Sequence, residues 1–281
     1  MKLAFSTLGC PDWNLAQIVE AAQRFRYDGV ELRAIGGSLD LLSRPEFSPA
    51  EIANTRRYFE DHSVSICCID TSCTFHSPDR RERLAQVDLA LAHADLAAQL
   101  GATLIRVFPD KIQAGATREQ TRDFIAESLR RIAERLPPGL DVALETHGDF
   151  ARTEAVAEIA TLADHPRVKL IWDVANSVAA EDSVERGARI VEPYLVHIHL
   201  RDARPVAGSE HWLPVLAGRG RVPFAEVMAA TEMLKFDGYV SFEWEKYWRP
   251  EIEEPEVALP DFISAIRKLQ SDTTKSSGVS K

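Results

Sequence analysis

The chain has 281 residues, of which 45% are hydrophobic and 27% charged, and this balance excludes wholesale disorder. It carries 33 basic and 43 acidic side chains, a net charge of −10, so we expect no nucleic-acid partner. No apolar run approaches the roughly 20 residues that cross a bilayer, and the N-terminal segment has no credible signal-peptide cleavage site. The sequence therefore predicts a cytoplasmic protein without a membrane partner.

The four cysteines are interpreted as reduced thiols. Cys10, Cys67, Cys68 and Cys73 form no CxxC pair, the spacing typical of redox and metal motifs. Cys67 and Cys68 are adjacent, so on a strand they point to opposite faces. This pattern favours a reducing compartment over a disulfide framework.

Short β-rich runs alternate with amphipathic helical patterns along the chain. In chain order, the predicted strands are 3–7, 29–33, 64–70, 103–108, 141–146, 169–173, 195–200 and 239–243. A helical pattern follows each strand, beginning with 15–25 and closing with 260–269. Gly101 and the run 137–139 are typical helix stop signals.

Strict alternation of this kind predicts a parallel sheet, because each right-handed crossover returns the chain in the same direction. Eight units within about 270 residues indicate a single (β/α)8 TIM barrel spanning 1–270. An open doubly wound sheet is the alternative, but no GxGxxG follows the first strand. The tail 271–281 is rich in Ser, Thr and Lys and is predicted to be disordered.

Ionisable residues recur at the carboxyl ends of the predicted strands, where the active site of such a barrel lies. They are Glu145 on strand five, Asp173 on strand six, His199 on strand seven and Glu243 on strand eight. Three carboxylates around one axis repel one another unless a divalent cation lies between them. The ligand types favour Mn²⁺, Mg²⁺ or Co²⁺, with Zn²⁺ also possible. An ordinary polar rim with local ion pairs is the alternative.

On these residues, the chain resembles the xylose isomerase-like TIM barrel superfamily, in particular its sugar phosphate isomerase/epimerase group. The resemblance covers residues 1–269. The motifs that carry it are Ala143-Leu144-Glu145, Asp173-x-x-Asn176, His197-x-His199-x-x-Asp202 and Ser241-x-Glu243.

The resemblance implies that Glu145, Asp173, His199 and Glu243 hold the metal and that the two glutamates act as acid and base. The implied reaction is the isomerisation or epimerisation of a sugar or sugar derivative. A proton is removed next to a carbonyl, and the metal stabilises the enediolate. Relatives often carry His in place of Asn176. Asparagine can donate a hydrogen bond but cannot exchange a proton, so the chain departs from the family pattern there.

Further candidates for contact with a small polyhydroxylated or keto substrate surround these residues. Arg106 and Lys246 suit an anionic or hydroxyl-rich group, with ion pairing to the site carboxylates as the alternative. His147 is predicted to contact substrate or act as a base, with a surface loop position as the alternative. Trp244, next to Glu243, is predicted to form a wall of the pocket.

Three other polar residues have open assignments. Glu31 is either a substrate contact or a buried partner of Arg106. His197 shares a strand face with His199 and is expected to support it rather than bind the ion. Arg201 is expected to form a loop ion pair.

Two other activities are possible for a barrel of this kind. A metal-dependent lyase resembling 3-dehydroshikimate dehydratase also abstracts a proton, and the run Glu145-Thr146-His147 suits it. An enzyme resembling endonuclease IV is disfavoured, because the chain is acidic and supplies few additional His ligands. A homo-oligomer is a further expectation, because barrels of this type often pair through exposed helices and loops.

Overall fold

Eight parallel strands close into a barrel in the computed structural model, which describes residues 1–209 and 212–277. The first seven are β1 to β7: Lys2–Ser6, Gly29–Leu32, Ser65–Thr74, Leu104–Phe108, Asp141–Glu145, Val168–Asp173 and Leu195–Leu200. An antiparallel hairpin of β8 (Asp202–Pro205) and β9 (Trp212–Val215) follows, and β10 (Tyr239–Phe242) pairs with β7 and β1 to close the ring. The predicted TIM barrel is confirmed.

The helices cover the outside of this ring. They are α1 to α9: Leu15–Phe25, Ile52–Asp61, Arg80–Leu100, Arg118–Ala133, Thr153–Ala163, Val174–Ala179, Val184–Val191, Phe224–Met233 and Pro255–Ser277. Their apolar faces pack on the outer faces of the strands in one continuous core. Within the described residues, no helix has the length and apolarity that a bilayer crossing requires.

The last helix differs most from the predicted bounds. α9 begins at Pro255 rather than at residue 260, because the Glu254 carbonyl already accepts hydrogen bonds from the amides of Val257 and Ala258. It continues to Ser277, into the segment for which the sequence predicts disorder. Residues 278–281 lie outside the described residues. The division at residue 270 remains a prediction.

The barrel interior is built in layers, because every second residue of a strand points inward. A lower apolar layer consists of Cys68, Leu104, Ala143 and Ile171, all buried. Two residues further along the same four strands, the inward side chains are Asp70, Arg106, Glu145 and Asp173. The strand period therefore places an ionisable layer directly above an apolar one, at the carboxyl ends of the strands.

The four cysteines are all buried and free. This arrangement confirms the interpretation of Cys10, Cys67, Cys68 and Cys73 as thiols rather than disulfide partners.

Candidate metal centre

Four inward side chains from adjacent strands converge above the apolar layer. Each of Glu145, Asp173, His199 and Glu243 offers one ligand atom, and these atoms all lie within 4.8 Å of one another. Strand register produces this convergence, because Asp173 pairs with His199 across β6 and β7 and His199 pairs with Ser241, two residues before Glu243. All four are buried, with Glu243 the most exposed at 5%. The sequence prediction that they meet holds in the structure.

A carboxylate orients the His199 ring from the side that faces away from the cluster. Its Nε2 lies 3.0 Å from Glu31 Oε2, while Glu31 Oε1 lies 2.7 Å from Nε2 of His197. The other ring nitrogen, His199 Nδ1, points at the cluster and lies 3.5 Å from one oxygen each of Glu145 and Glu243. Glu31 is thus a partner of two histidines, not of Arg106.

This geometry fits a divalent cation. His199 Nδ1 is a buried atom without a hydrogen-bond partner, and such atoms are costly unless something binds them. An imidazole nitrogen 3.5 Å from two carboxylates, with the Asp173 carboxylate in the same cluster, is the donor set of an oxygen-rich metal site. The Glu31 contact is the carboxylate–histidine support usual behind metal ligands.

Two buried arginines pair with the ligand carboxylates. Arg106 Nη1 donates to Glu145 Oε2 at 2.8 Å and lies 3.6 Å from Glu243 Oε1. Arg201 Nη1 donates to Asp173 Oδ2 at 2.5 Å, and its Nη2 lies 2.8 Å from Glu245 Oε1. Arg201 does form an ion pair, as expected, but it lies within the site rather than on a surface loop.

The charges shift the pKa values of the ligands in different directions. Burial raises the pKa of Asp173 to about 6 and outweighs the nearby Arg201 guanidinium. Burial also acts to raise the pKa of Glu243, but the His199 ring and the two arginines lower it below its ordinary value. The neighbouring Asp70, 3.7 Å from Arg106, is not among these four residues; burial and Glu31 raise its pKa to about 8. The ligand carboxylates therefore differ in how readily a proton competes with a cation.

The cluster opens into a cavity of about 410 Å³ at the carboxyl ends of the strands. Of the predicted substrate contacts, Arg106, His147 and Asn176 line it. Asn176 accepts a hydrogen bond from Arg201 Nη2 at 3.2 Å and donates to the Thr146 carbonyl. His147 packs against Phe108 with a ring separation of 4.7 Å.

The predicted contacts Trp244 and Lys246 do not line this cavity. Trp244 is fully buried, stacks on Phe242 and donates its indole N–H to the Glu253 carbonyl. The ammonium of Lys246 donates to the carbonyls of Pro250 and Ile252 and to Glu254. The alternation of β10 continues past its end and turns Trp244 to the outer face with Phe242, opposite to Glu243 and Glu245, which line the cavity. Lys246 lies in the turn that follows.

Two arginines of the cavity were not predicted as site residues. Arg33 directly follows β2, and Arg201 directly follows β7. Their shared signal is a basic residue one position past the carboxyl end of a barrel strand, which is where such sites lie.

The family of the chain follows from its sequence. The sequence model of the xylose isomerase-like TIM barrel family matches residues 19–269, so the chain belongs to this family. No curated protein matches the sequence significantly.

Solved structures share the fold at low sequence identity. D-psicose 3-epimerase with D-tagatose, from Clostridium cellulolyticum H10, is 17% identical over 96% of this chain and 99% of that one, with a TM-score of 0.76. The IolI protein with a zinc atom is 17% identical over 97% of each chain, with a TM-score of 0.77. The probable 3-DHS dehydratase AsbF from Bacillus anthracis is 18% identical over 96% of this chain and 99% of that one, with a TM-score of 0.75.

Proposed function

We propose that the protein is a divalent-metal-dependent isomerase or epimerase of a sugar or sugar derivative. One observation carries the proposal: the unpartnered Nδ1 of His199 lies 3.5 Å from both Glu145 and Glu243 at the floor of an open cavity. Two carboxylates would then flank one cation and reach the same small substrate. The epimerase and the zinc-containing protein of the same fold support this assignment.

The ion would be held by Glu145, Asp173, His199 and Glu243, and the oxygen-rich set favours Mn²⁺, Mg²⁺ or Co²⁺, with Zn²⁺ possible. When bound, it supplies a Lewis acid for neighbouring substrate oxygens. The protein contributes the rest through side chains that bind the substrate and move its protons.

Glu145 and Glu243 are the proposed acid–base pair. Arg106 lies within 3.6 Å of both carboxylates, and its positive charge favours their ionised form, which is the form that accepts a proton. One glutamate takes the proton from the carbon next to the carbonyl, and the other returns a proton elsewhere. Arg106, His147 and Asn176 are positioned to bind the hydroxyl or keto oxygens of the substrate.

The test is the exchange of substrate protons with solvent. Metal-loaded protein is incubated in D₂O with a panel of ketoses and aldoses, and proton NMR follows the C–H signals. We expect exchange by the unaltered protein and its loss by at least 100-fold in Glu243→Gln. Glu254→Gln, remote from the cavity, is the control. Unaltered exchange in Glu243→Gln would remove this residue from the mechanism.

A lyase resembling 3-dehydroshikimate dehydratase is the second candidate. His147 favours it, because this imidazole lines the same cavity two residues after Glu145 and can act as a base. Dehydration creates a conjugated product with new ultraviolet absorbance, whereas isomerisation conserves composition. If ultraviolet absorbance grows when the protein is incubated with 3-dehydroshikimate, and sugars show no reaction, the lyase is the correct assignment.

We also propose a cytoplasmic location. Four buried, free thiols support it, because such thiols persist in reducing compartments. A homo-oligomer remains an expectation.

A further inference from the structure

Arg33 is a buried cation at the edge of the cavity. It follows β2, and its guanidinium reaches across to β3, where Nη2 donates to Ser72 Oγ at 2.7 Å. Only 5% of the residue is exposed. Burial, together with the nearby Arg106 guanidinium, lowers the pKa of Arg33 to about 10, so the group remains charged at neutral pH.

No carboxylate oxygen of the described residues lies within 4.0 Å of the Arg33 guanidinium, which distinguishes it from the other buried arginines of the cavity. Arg106 pairs with Glu145, and Arg201 pairs with Asp173. The hydroxyl of Ser72 is neutral and cannot balance the charge. A buried cation without a counter-charge is costly, so such a residue is expected where a ligand supplies the opposite charge.

The carboxylates in and around the cavity have cationic partners other than Arg33. The carboxylates are those of Glu145, Asp173, Glu243 and Glu245. Arg106 and Arg201 pair with all four. At the rim, Asp110 and Arg249 carry opposite charges. The other buried carboxylates of the site, Glu31 and Asp70, contact His197, His199 and Arg106, so the described residues place no carboxylate in contact with Arg33.

We infer that the cavity takes a substrate bearing an oxyanion group, carboxylate or phosphate, and that Arg33 with Ser72 binds this group. The inference rests on the proposed function, since Arg33 lines the same cavity as Glu145 and Glu243, and it adds a substrate class: a sugar acid or a sugar phosphate rather than a neutral sugar. A guanidinium offers planar paired donors that match either oxyanion, and the Ser72 hydroxyl adds a further donor.

The first test measures thermal unfolding of the Mn²⁺-loaded protein. Arg33→Met removes an unpaired buried charge while keeping most of the side-chain volume, so we expect its Tm in chloride buffer to exceed that of the unaltered protein. Arg83→Met is the matched control, because Arg83 is also buried but donates to the carbonyls of Ser77 and Pro78; its Tm should fall. Inorganic phosphate should raise the Tm of the unaltered protein more than that of Arg33→Met. A lower Tm for Arg33→Met together with an equal effect of phosphate would overturn the inference.

The second test uses calorimetry on the Mn²⁺-loaded protein to compare each neutral sugar with a counterpart that carries an oxyanion group. The pairs are L-sorbose with 5-keto-D-gluconate, and D-fructose with D-fructose 6-phosphate. We expect the charged member of at least one pair to bind about tenfold or more tightly, and Arg33→Met to abolish this preference while Arg33→Lys retains part of it. The pair that shows the preference identifies carboxylate or phosphate. Equal binding within both pairs contradicts the inference.

The two proposals fail separately. An Arg33-dependent charge preference without any proton exchange contradicts the proposed function alone. Exchange with neutral sugars that is insensitive to Arg33→Met contradicts the oxyanion site alone.

Discussion

His199 presents its two ring nitrogens to different partners. Glu31 holds Nε2 at 3.0 Å, and Nδ1 faces the carboxylates of Glu145 and Glu243. A proton on Nε2 leaves the lone pair of Nδ1 available, which is the form of histidine that binds a metal. The direction of this ring is therefore determined by a residue outside the cluster of Glu145, Asp173, His199 and Glu243.

Replacing Glu31 tests this support. Glu31→Gln keeps the shape but removes the charge that both His197 and His199 contact. We expect Mn²⁺ affinity to fall about 10- to 100-fold, measured by competition with a chelator. Glu20→Gln, on the exposed face of α1, is the control. If both variants bind Mn²⁺ as the unaltered protein does, Glu31 does not orient the ligand.

Metal binding should release a proton from the same histidine. Burial acts to lower the pKa of His199, but Glu31, Glu243 and Glu145 raise it well above its ordinary value, so the metal-free ring carries an extra proton at neutral pH. An ion must displace this proton, and apparent affinity should therefore weaken as the pH falls.

Calorimetry in two buffers of different ionisation enthalpy measures this release. We expect about one proton per ion at neutral pH, and the same value in His147→Asn, since His147 lies outside the ligand cluster. A binding enthalpy independent of the buffer would show that His199 is already neutral.

At the scale of elements, Asp202 joins the start of the hairpin β8–β9 to the segment that follows the hairpin. Its carboxylate accepts hydrogen bonds from the amides of Ala203, Gly220 and Val222. A Cβ on Gly220 would lie 2.1 Å from Asp202 Oδ1 and 2.4 Å from the Ala203 carbonyl oxygen. The close approach requires glycine at this position.

Gly220→Ala should therefore destabilise the protein by about 1–3 kcal/mol, because both the carboxylate and the backbone must move. Denaturant unfolding measures the change. The control is Arg219→Ala, at the exposed neighbouring position. We expect it to lower the free energy of unfolding by about 0.5 kcal/mol or less. Equal stability of the two variants would mean that the hairpin adjusts without strain.

The sequence predicts the elements well where a period governs them. Alternation along β5, β6 and β7 places Glu145, Asp173 and His199 inside the barrel, two residues after Ala143, Ile171 and His197, so these ligands could be named before any coordinates. The same alternation turns Trp244 outward with Phe242, whereas Lys246 lies in a turn, where hydrogen bonds to local carbonyls determine its direction.

The pairing of side chains across the barrel is harder to predict from sequence than the strands and helices are. The sequence shows Glu31 and Arg33 one residue apart at the end of β2, but it does not show that Glu31 crosses the barrel to two histidines. It likewise does not show that Arg33 lacks a carboxylate. Such pairings depend on distances across the closed ring, which no local pattern encodes.

For the whole molecule, closure of the barrel makes the site. The ring order brings β5, β6, β7 and β10 side by side, and the cluster takes one residue from each of the first three strands and Glu243 from the position just after β10. The apolar layer below excludes water from the floor of the cavity, which strengthens charge interactions at the ligands.

Diffraction from crystals grown with Mn²⁺ and recorded at its absorption edge tests the central claim most directly. We predict one anomalous peak per chain, about 2.0–2.4 Å from an oxygen of Glu145, Asp173 and Glu243 and from Nδ1 of His199, and no peak in Asp173→Asn crystals. No peak among these four side chains, or a peak bound elsewhere, would contradict the account.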